Sequence, residues 1–329
     1  MLCRVADSLH WMSRYVERAE NIARFIDVNQ VLSLGGVGVQ WDPLIFASGD
    51  EKAYNKKYPD FSRENVLRFL LFDREYANSV VSCASRAREN ARAIQGELSM
   101  GVWHAVNRLY LRVRDGARNA EEVIANPNFF LERVKRSCHQ VMGVSNATLS
   151  RDEAWQFCHL GTLVERADKT SRILDVKYFT LLPNVTDVGG ALDVVQWSAL
   201  LETTGATHMY RKRHGRIDPR KVVAFLVLDE QFPRSIRYCV EQAEDCMRDI
   251  ASSTAPGDGP LAQIGEMSVR LNSIGADEIV DTGLHEFIDD FQRRLDSFNE
   301  SLFEAYFHVP PVLPYVPDGA QSQTQSGPT

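Results

Sequence analysis

The feature that most constrains the fold of this chain is a charged string that occurs twice. Residues 16–28 are VERAENIARFIDV and residues 164–176 are VERADKTSRILDV, an offset of 148. In both strings Glu-Arg-Ala is followed by an acidic residue, and then by an arginine and an aspartate at the same spacing. A repeated segment of this kind is typical of chains in which one structural unit packs against another copy of itself. The string therefore predicts two related units.

Further matches follow in the same order along the chain. Gln40-Trp41 recurs at residues 196–197, YNKK at 54–57 recurs as YRKR at 210–213, and VLRFLLFDREYANSVVSC at 66–83 recurs as VVAFLVLDEQFPRSIRYC at 222–239. These three matches share an offset of 156, which implies an eight-residue insertion in the loop-like segment LLPNVTDVGG. We predict one copy over residues 1–148, a second over residues 149–308, and a flexible tail over residues 309–329 that is rich in Pro, Gly, Ser and Gln.

Both copies have the hydrophobic periodicity of helices rather than of strands. Apolar residues recur at steps of three and four over residues 5–30, 62–74, 79–95, 99–115, 128–143, 151–180, 193–213, 219–229, 234–252, 261–273 and 277–306. Helix-start signals occur at Ser62, Ser79, Ser150 with Glu153, Asp218-Pro219 and Ser235. The predicted fold class is all-α, a helical bundle built from two diverged tandem copies of one unit.

The repeated helix has an apolar stripe bordered by charges. At about 100° per residue, one arc is formed by Val16, Ala19, Ala23 and Ile26, and in the second copy by Val164, Ala167, Ser171 and Leu174. Small residues in this arc let another helix approach closely. Beside it lies a charged column, which comprises Glu17, Glu20, Arg24 and Asp27 in the first copy and Glu165, Asp168, Arg172 and Asp175 in the second.

Two interpretations of the charged column stay open. Pairs within one helix are worth only about 0.2–0.5 kcal/mol each, which is a weak reason to repeat the same four charges. The column either forms a structural network with a neighbouring helix or frames a ligand site where the copies meet. The best candidate partner is the helix predicted at residues 79–95, whose charged residues are Arg86, Arg88, Glu89 and Arg92.

The strings MLCRVADSLHWMSRYVERAENIARFIDVN, ARENAR and LVERADKTSRILDVKY resemble the bacterial alpha-E domain family. This family is a predicted all-helical domain named for its Glu-Arg motif, and its activity is not established. The motif residues here are Glu17-Arg18 and Glu165-Arg166, whereas Thr162 stands where the first copy has Arg14. Genes of the family commonly lie beside a circularly permuted ATP-grasp protein and a transglutaminase-like protein. The resemblance therefore implies a role in making or processing an amide-linked peptide.

Three functional hypotheses follow. The first is an accessory or binding subunit that serves an ATP-grasp-type ligase and holds the carboxylate of a peptide or amino acid, because the arginine fork grips carboxylates with two hydrogen bonds. The candidate binding residues are Arg14, Arg18, Arg24, Arg88, Arg166 and Arg172. The second is an amide-forming or amide-cleaving enzyme with Glu17 or Glu165 as general base. The third is a structural scaffold whose charges only fix helix register.

Other chemistry finds little support in the sequence. No histidine follows a glutamate at the Glu-x-x-His spacing of di-iron bundles, and the segment LGGVG at residues 34–38 lacks the Lys-Ser/Thr of a P-loop, so we expect no metal and no cofactor. The six cysteines are expected to be reduced core thiols. This includes Cys158, although His159 is next to it in the sequence.

The composition limits which classes of partner and which cellular location we expect. A net charge of −7 does not favour nucleic acid, and no apolar run approaches the roughly 20 residues of a membrane helix. The first residues, MLCRVADSLHW, do not resemble a signal peptide. We expect a cytoplasmic protein. The basic run RKRHGR at residues 211–216 is either a solvated loop or a contact for an acidic partner.

Overall fold

The computed structural model describes residues 1–34, 41–180, 191–253 and 259–308, without the side chains of 31–34, 176–180 and 191–193. The predicted insertion loop, most of the LGGVG segment and the predicted flexible tail lie outside these ranges. Within them every regular element is helical, which confirms the all-α fold class.

Each half of the described chain contains eight α-helices. Those of the first half are α1 (Cys3–Leu34), α2 (Asp42–Ser48), α3 (Glu51–Asn55), α4 (Arg63–Phe72), α5 (Val80–Ala93), α6 (Met100–Arg118), α7 (Ala120–Ala125) and α8 (Asn128–Thr148). Those of the second half are α9 (Glu153–Thr180), α10 (Ala191–Thr203), α11 (Thr207–His214), α12 (Pro219–Val223), α13 (Ile236–Ser253), α14 (Gly259–Ser273), α15 (Ala276–Thr282) and α16 (Leu284–Leu302). A 3₁₀ turn covers Gln95–Glu97, and π-helical turns cover Ala224–Leu228 and Phe303–Phe307.

Two predicted helices are each divided in the structure. The segment 193–213 forms α10 and α11, with Gly205 between them at φ +67°. The segment 277–306 is divided at Gly283, which has φ +118°. Residues with a side chain rarely have a positive φ, whereas glycine adopts it readily, so each helix ends near its glycine. Helices α2, α3 and α7 were not predicted, because five to seven residues are too few to show a helical period.

Most of the predicted helix starts are confirmed. The side chains of Ser79, Ser235 and Asp218 each accept a backbone N–H of the helix that follows. The prediction for Ser150 is wrong, because Asp152 accepts the N–H groups of Ala154 and Trp155 instead. Ser62 precedes α4 but makes no capping bond through its side chain.

The two long helices α1 and α9 pack against each other at the centre of the bundle. Helices α5 and α8 flank α1, and helices α13 and α16 flank α9. All eight residues of the predicted apolar stripes are buried, which confirms the stripe. The two backbones approach each other closely at Gly161, where an added Cβ would lie 2.3 Å from the carbonyl oxygen of His10.

Each half also packs a short helix on the long helix of the other half. Helix α2 contacts α9, and helix α10 contacts α1. The glycines that follow these helices, Gly49 and Gly205, both have positive φ. A Cβ at Gly49 would lie 2.7 Å from Nη1 of Arg172, and one at Gly205 would lie 3.4 Å from Nη1 of Arg24. Because each half places a helix on the long helix of the other half, both halves surround α1 and α9.

Residues matched by the offset of 156 make matching contacts. Lys57 binds Asp73 at 3.0 Å, and their counterparts Arg213 and Asp229 are bound to each other. Each of these aspartates also accepts backbone N–H groups two and three residues further along the chain. Arg213 therefore ties part of the basic run RKRHGR to the bundle. The tandem duplication stays a prediction, and these contacts support it.

Candidate functional site

The two Glu-Arg motifs meet in the interior of the bundle. The side chains of Glu17 and Glu165 are 0% exposed. Each glutamate contacts the motif arginine of the other helix, since Arg18 binds Glu165 and Arg166 lies against Glu17. The motif thus crosses the interface between α1 and α9 rather than pairing within one helix.

Both oxygens of Glu165 accept strong hydrogen bonds. Arg18 donates from Nε to Oε1 at 2.6 Å and from Nη2 to Oε2 at 2.8 Å, the two-bonded arrangement that arginine forms with carboxylates. Arg14 donates from Nε to Oε2 at 3.0 Å, and Nζ of Lys169 lies 3.7 Å from Oε1. Burial alone would raise the pKa of Glu165, but the charges of Arg18, Lys169 and Arg14 outweigh it and hold the pKa well below its usual range.

Glu17 is less completely bonded. Its Oε1 accepts from Nη1 of Arg234 at 2.7 Å and from Nδ2 of Asn21 at 3.4 Å. Nε of Arg166 lies 3.1 Å from the same oxygen, but the N–H is not aligned for a hydrogen bond. Oε2 of Glu17 is buried and has no hydrogen-bond partner in the part of the chain that the structure describes.

The next acidic residues of the charged column are also paired. Glu20 accepts from Arg24 at 2.9 Å and from Arg234 at 3.1 Å, and Nε2 of His139 lies 3.3 Å away. Burial opposes its ionisation, yet the charges of Arg24 and Arg234 hold the pKa of Glu20 well below the usual range. Asp168 accepts from Arg172 at 2.8 Å.

The ends of the column pair with α8 and α16. Lys135 binds Asp27 at 2.6 Å, and Nδ1 of His285 lies 2.7 Å from Asp175. All three acidic positions of the predicted column therefore have a partner in each half.

The helix predicted to supply these partners does not supply them. Arg86 donates to the hydroxyl of Tyr15, Arg88 donates to Asn107, and Arg92 pairs with Glu89 on the surface. That prediction was wrong, because an arginine-rich face of α5 is mostly turned away from the motif.

The missed partner is Arg234, which immediately precedes the cap of α13. Its counterpart at the offset of 156 is Asn78, whose Oδ1 accepts from Nη1 of Arg18. The residue before each capping serine therefore reaches a motif helix of the interior. The aligned strings at 66–83 and 222–239 contain this signal, since a polar residue stands before the cap in both.

Cations outnumber carboxylates in this buried cluster. Its carboxylates are Glu17, Glu20, Glu165 and Asp168, and its cations are Arg14, Arg18, Arg24, Arg166, Lys169, Arg172 and Arg234. Asp296 adds one more carboxylate beside Asp168 and Arg172. The surplus is evident at Arg24, whose pKa is lowered to about 10 by burial and by the charge of Arg234.

The cysteines do not form a nucleophilic site. Cys83, Cys158 and Cys239 are buried, and burial raises the pKa of each thiol to about 12, so they stay protonated at neutral pH. Among the described residues, no group of three or more His, Cys, Asp or Glu side chains is arranged to hold a metal ion. None of the described helices is long and apolar enough to cross a membrane.

Two clefts open beside the buried cluster. One is lined by Arg18, Asn78 and Lys169 among others, and has about 360 Å³ of empty volume including the solvent at its mouth. The other is bordered by Arg166, Thr162 and His159, and has about 500 Å³ on the same measure. Each cleft reaches one of the two motif arginines.

The fold and the buried motif define the class: an all-α bundle with a Glu-Arg motif on each of two central helices. The chain belongs to the Alpha-E family, described as a predicted alpha-helical domain with a conserved ER motif, which matches residues 1–307. Uncharacterized proteins of Mycobacterium bovis and Mycobacterium tuberculosis are 23% identical over 301 residues, covering 84% of this chain. The chain spans 33% of the length of these curated relatives. No solved structure matches the chain.

Proposed function

We propose that this chain is an accessory, ligand-holding partner of an ATP-grasp-type ligase that makes or processes an amide-linked peptide in the bacterial cytoplasm. A transglutaminase-like protein is the second expected partner, and the ligand is a peptide or amino acid with a free carboxylate. The observation that carries the accessory role is that both motif glutamates are fully buried against arginines.

The enzyme alternative has less support from this geometry. A general base must come within about 3 Å of the proton it removes, whereas the carboxylates of Glu17 and Glu165 are 0% exposed. The lowered pKa of Glu165, which the arginines produce despite burial, also makes it a poor base at neutral pH. Both glutamates are better suited to holding α1 and α9 in register.

The size of the relatives agrees with an accessory role. In the mycobacterial proteins the matched region is joined to further chain, because it covers only 33% of their length. A domain that works beside other domains is expected to occur in such longer polypeptides. All six cysteines are free, which is in keeping with a reducing compartment.

The six predicted ligand-binding arginines have three kinds of surroundings. Arg14, Arg18, Arg24 and Arg172 are bound to internal carboxylates. This supports the scaffold hypothesis for these four positions. Arg88 donates to Asn107 and lies over the ring of Tyr110, and both of these residues are on α6. Arg166 has the least complete set of partners, so we assign the holding of a carboxylate to it.

The test is a coupled assay with the complete protein. The tagged chain is purified from its native host, an ATP-grasp-type ligase is sought by mass spectrometry, and ATP-dependent amide formation by that ligase is measured with and without the chain. We expect the chain to raise the rate at least tenfold.

Two variants serve as a matched pair in the coupled assay. Arg166→Gln should lose the stimulation, and the exposed Arg92→Gln should retain it. An unchanged rate, or amide chemistry by the chain alone with ATP absent, would contradict the proposal.

A further inference from the structure

The two sides of the buried cluster differ most at Thr162, which aligns with Arg14 at the offset of 148. The guanidinium of Arg14 lies 4.7 Å from the ring centre of Trp11 and binds Glu165. Thr162 is much shorter, and its hydroxyl donates to the carbonyl of Cys158 at 3.2 Å. The space that an arginine fills on the Glu165 side is therefore left open on the Glu17 side.

An open pocket lies in this space between α1, α8 and α9, with about 500 Å³ of empty volume when the solvent at its mouth is included. Its lining includes Ser13, Met142, Asn146, Trp155, His159 and Arg166. Among the described side chains that line it, none is acidic and one is permanently positive. A pocket of this character favours an anion.

Arg166 is the positive group of the pocket. Its side chain is 17% exposed, and its Nε lies 3.1 Å from Oε1 of Glu17 without an aligned hydrogen bond. Its Nη2 reaches the sulfur of Met142 at 3.6 Å, and a thioether is a weak acceptor. A carboxylate oxygen would be a stronger acceptor for this guanidinium than the sulfur is.

The wall of the pocket formed by α9 is aromatic at the end away from Arg166. The rings of Trp155 and His159 stack with their centres 4.5 Å apart, and Arg151 lies 4.1 Å from the centre of the Trp155 ring. Burial, together with the charges of Arg166 and Arg151, lowers the pKa of His159 to about 4. The histidine is therefore neutral at neutral pH, and with Trp155 it forms an uncharged aromatic part of the lining.

We infer that this pocket binds the carboxylate of a small peptide or N-acylated amino acid, with Arg166 gripping the carboxylate and the Trp155–His159 surface packing against the rest of the ligand. The choice of ligand class rests on the proposed function. The pocket lined by Thr162 and Arg166 is observed independently of that function.

The test is calorimetric titration of the complete chain with four probes: N-acetyl-L-alanine, its carboxamide, inorganic phosphate and L-argininamide. We expect saturable binding of N-acetyl-L-alanine and at least tenfold weaker binding of the carboxamide. Equal affinity for the acid and the amide, no binding of the acid, or phosphate bound as tightly as the acid would overturn the inference. Tighter binding of L-argininamide would also overturn it and would indicate a cation site that completes Glu17.

A matched pair of variants locates the site. Thr162→Arg supplies the side chain present on the other side and should weaken binding of N-acetyl-L-alanine at least tenfold without lowering Tm. Thr162→Val leaves the pocket open and should bind within twofold of the unmodified chain. Trp155→Ala provides a second test that does not depend on a new buried charge, and it should weaken binding at least threefold. Undiminished binding in both Thr162→Arg and Trp155→Ala would overturn the inference.

These titrations need no ligase, so their failure is separate from failure of the proposed function. A chain that stimulates the ligase but binds no carboxylate would keep its partner and lose this pocket assignment. A chain that binds the carboxylate but leaves the ligase rate unchanged would have the reverse outcome.

Discussion

The Glu165 side and the Glu17 side of the interior have the same Glu-Arg motif but different degrees of saturation. Glu165 accepts three hydrogen bonds from Arg14 and Arg18. Glu17 keeps one oxygen without a partner among the described residues, and Arg166 borders a pocket. The shared part of the motif joins the two long helices, whereas the part that differs leaves room for a ligand.

The partners differ in origin as well. Arg14 and Arg18 both come from α1, next to each other on one face. Arg234 comes from the segment before α13, 217 residues away from Glu17. Glu165 is thus held by residues of the two motif helices α1 and α9, whereas Glu17 also binds Arg234 from outside them.

The largest expected effect is on the saturated side. Glu165→Gln leaves Arg14 and Arg18 buried without a charge partner, so we expect a loss of about 3–5 kcal/mol in the free energy of unfolding. Glu17→Gln removes fewer hydrogen bonds, and its loss should be smaller by about 1 kcal/mol or more. Urea denaturation of both variants makes the measurement. Equal losses would break the comparison.

The second effect concerns the joint that both sides share. Gly161→Ala places a methyl group 2.3 Å from the carbonyl oxygen of His10, and the two long helices must move apart. We expect a loss of about 1–3 kcal/mol. Gly143 in α8 has open space around it, so Gly143→Ala should raise stability by up to about 1 kcal/mol. Thermal unfolding of the two variants compares them, and equal shifts in Tm would contradict the close approach.

The third effect is a pH dependence on the Glu17 side. The pKa of His159 is about 4 when folded, from 6.5 in the unfolded chain, chiefly because of burial. A depressed folded pKa means that stability is complete above about pH 6.5 and is lost as the pH falls toward 4. The expected loss is about 1–2 kcal/mol, allowing for partial exposure.

His159→Gln should remove this part of the pH dependence. The pKa of His10 is lowered in the same direction by burial, so the variant should keep the remaining slope. Urea denaturation at several pH values between 7 and 4 provides the test. A slope that is the same in both proteins would exclude His159 as its source. Below about pH 4.5, protonation of Glu20 and Glu165 should add a separate loss, since both have a lowered folded pKa.

The smallest effect is expected on the arginine-rich face of α5. Arg92 is 65% exposed and pairs with Glu89 on the surface. Arg92→Ala should change the free energy of unfolding by less than about 0.5 kcal/mol. Added salt should make this change smaller still, because salt screens surface ion pairs. A loss as large as that of Glu165→Gln would contradict this expectation and would support the prediction that this face of α5 is the partner of the charged column.

The all-α class, the two long helices, their apolar stripes and the family follow from patterns within the sequence. Helical periodicity is local, so apolar residues at steps of three and four indicate which face is buried without any knowledge of neighbours. The capping serines Ser79 and Ser235 were predictable for the same reason, since a cap acts within three residues.

Which charges meet depends on how the helices pack together. The partner of a buried carboxylate can come from any helix, and nothing periodic in the sequence marks Arg234 as a partner of Glu17. An exposed arginine and a buried one look alike in sequence, which is why Arg88 and Arg92 were predicted to reach the charged column and do not. The pocket beside Arg166 has the same origin, because a missing side chain opens space only after α1, α8 and α9 are packed together.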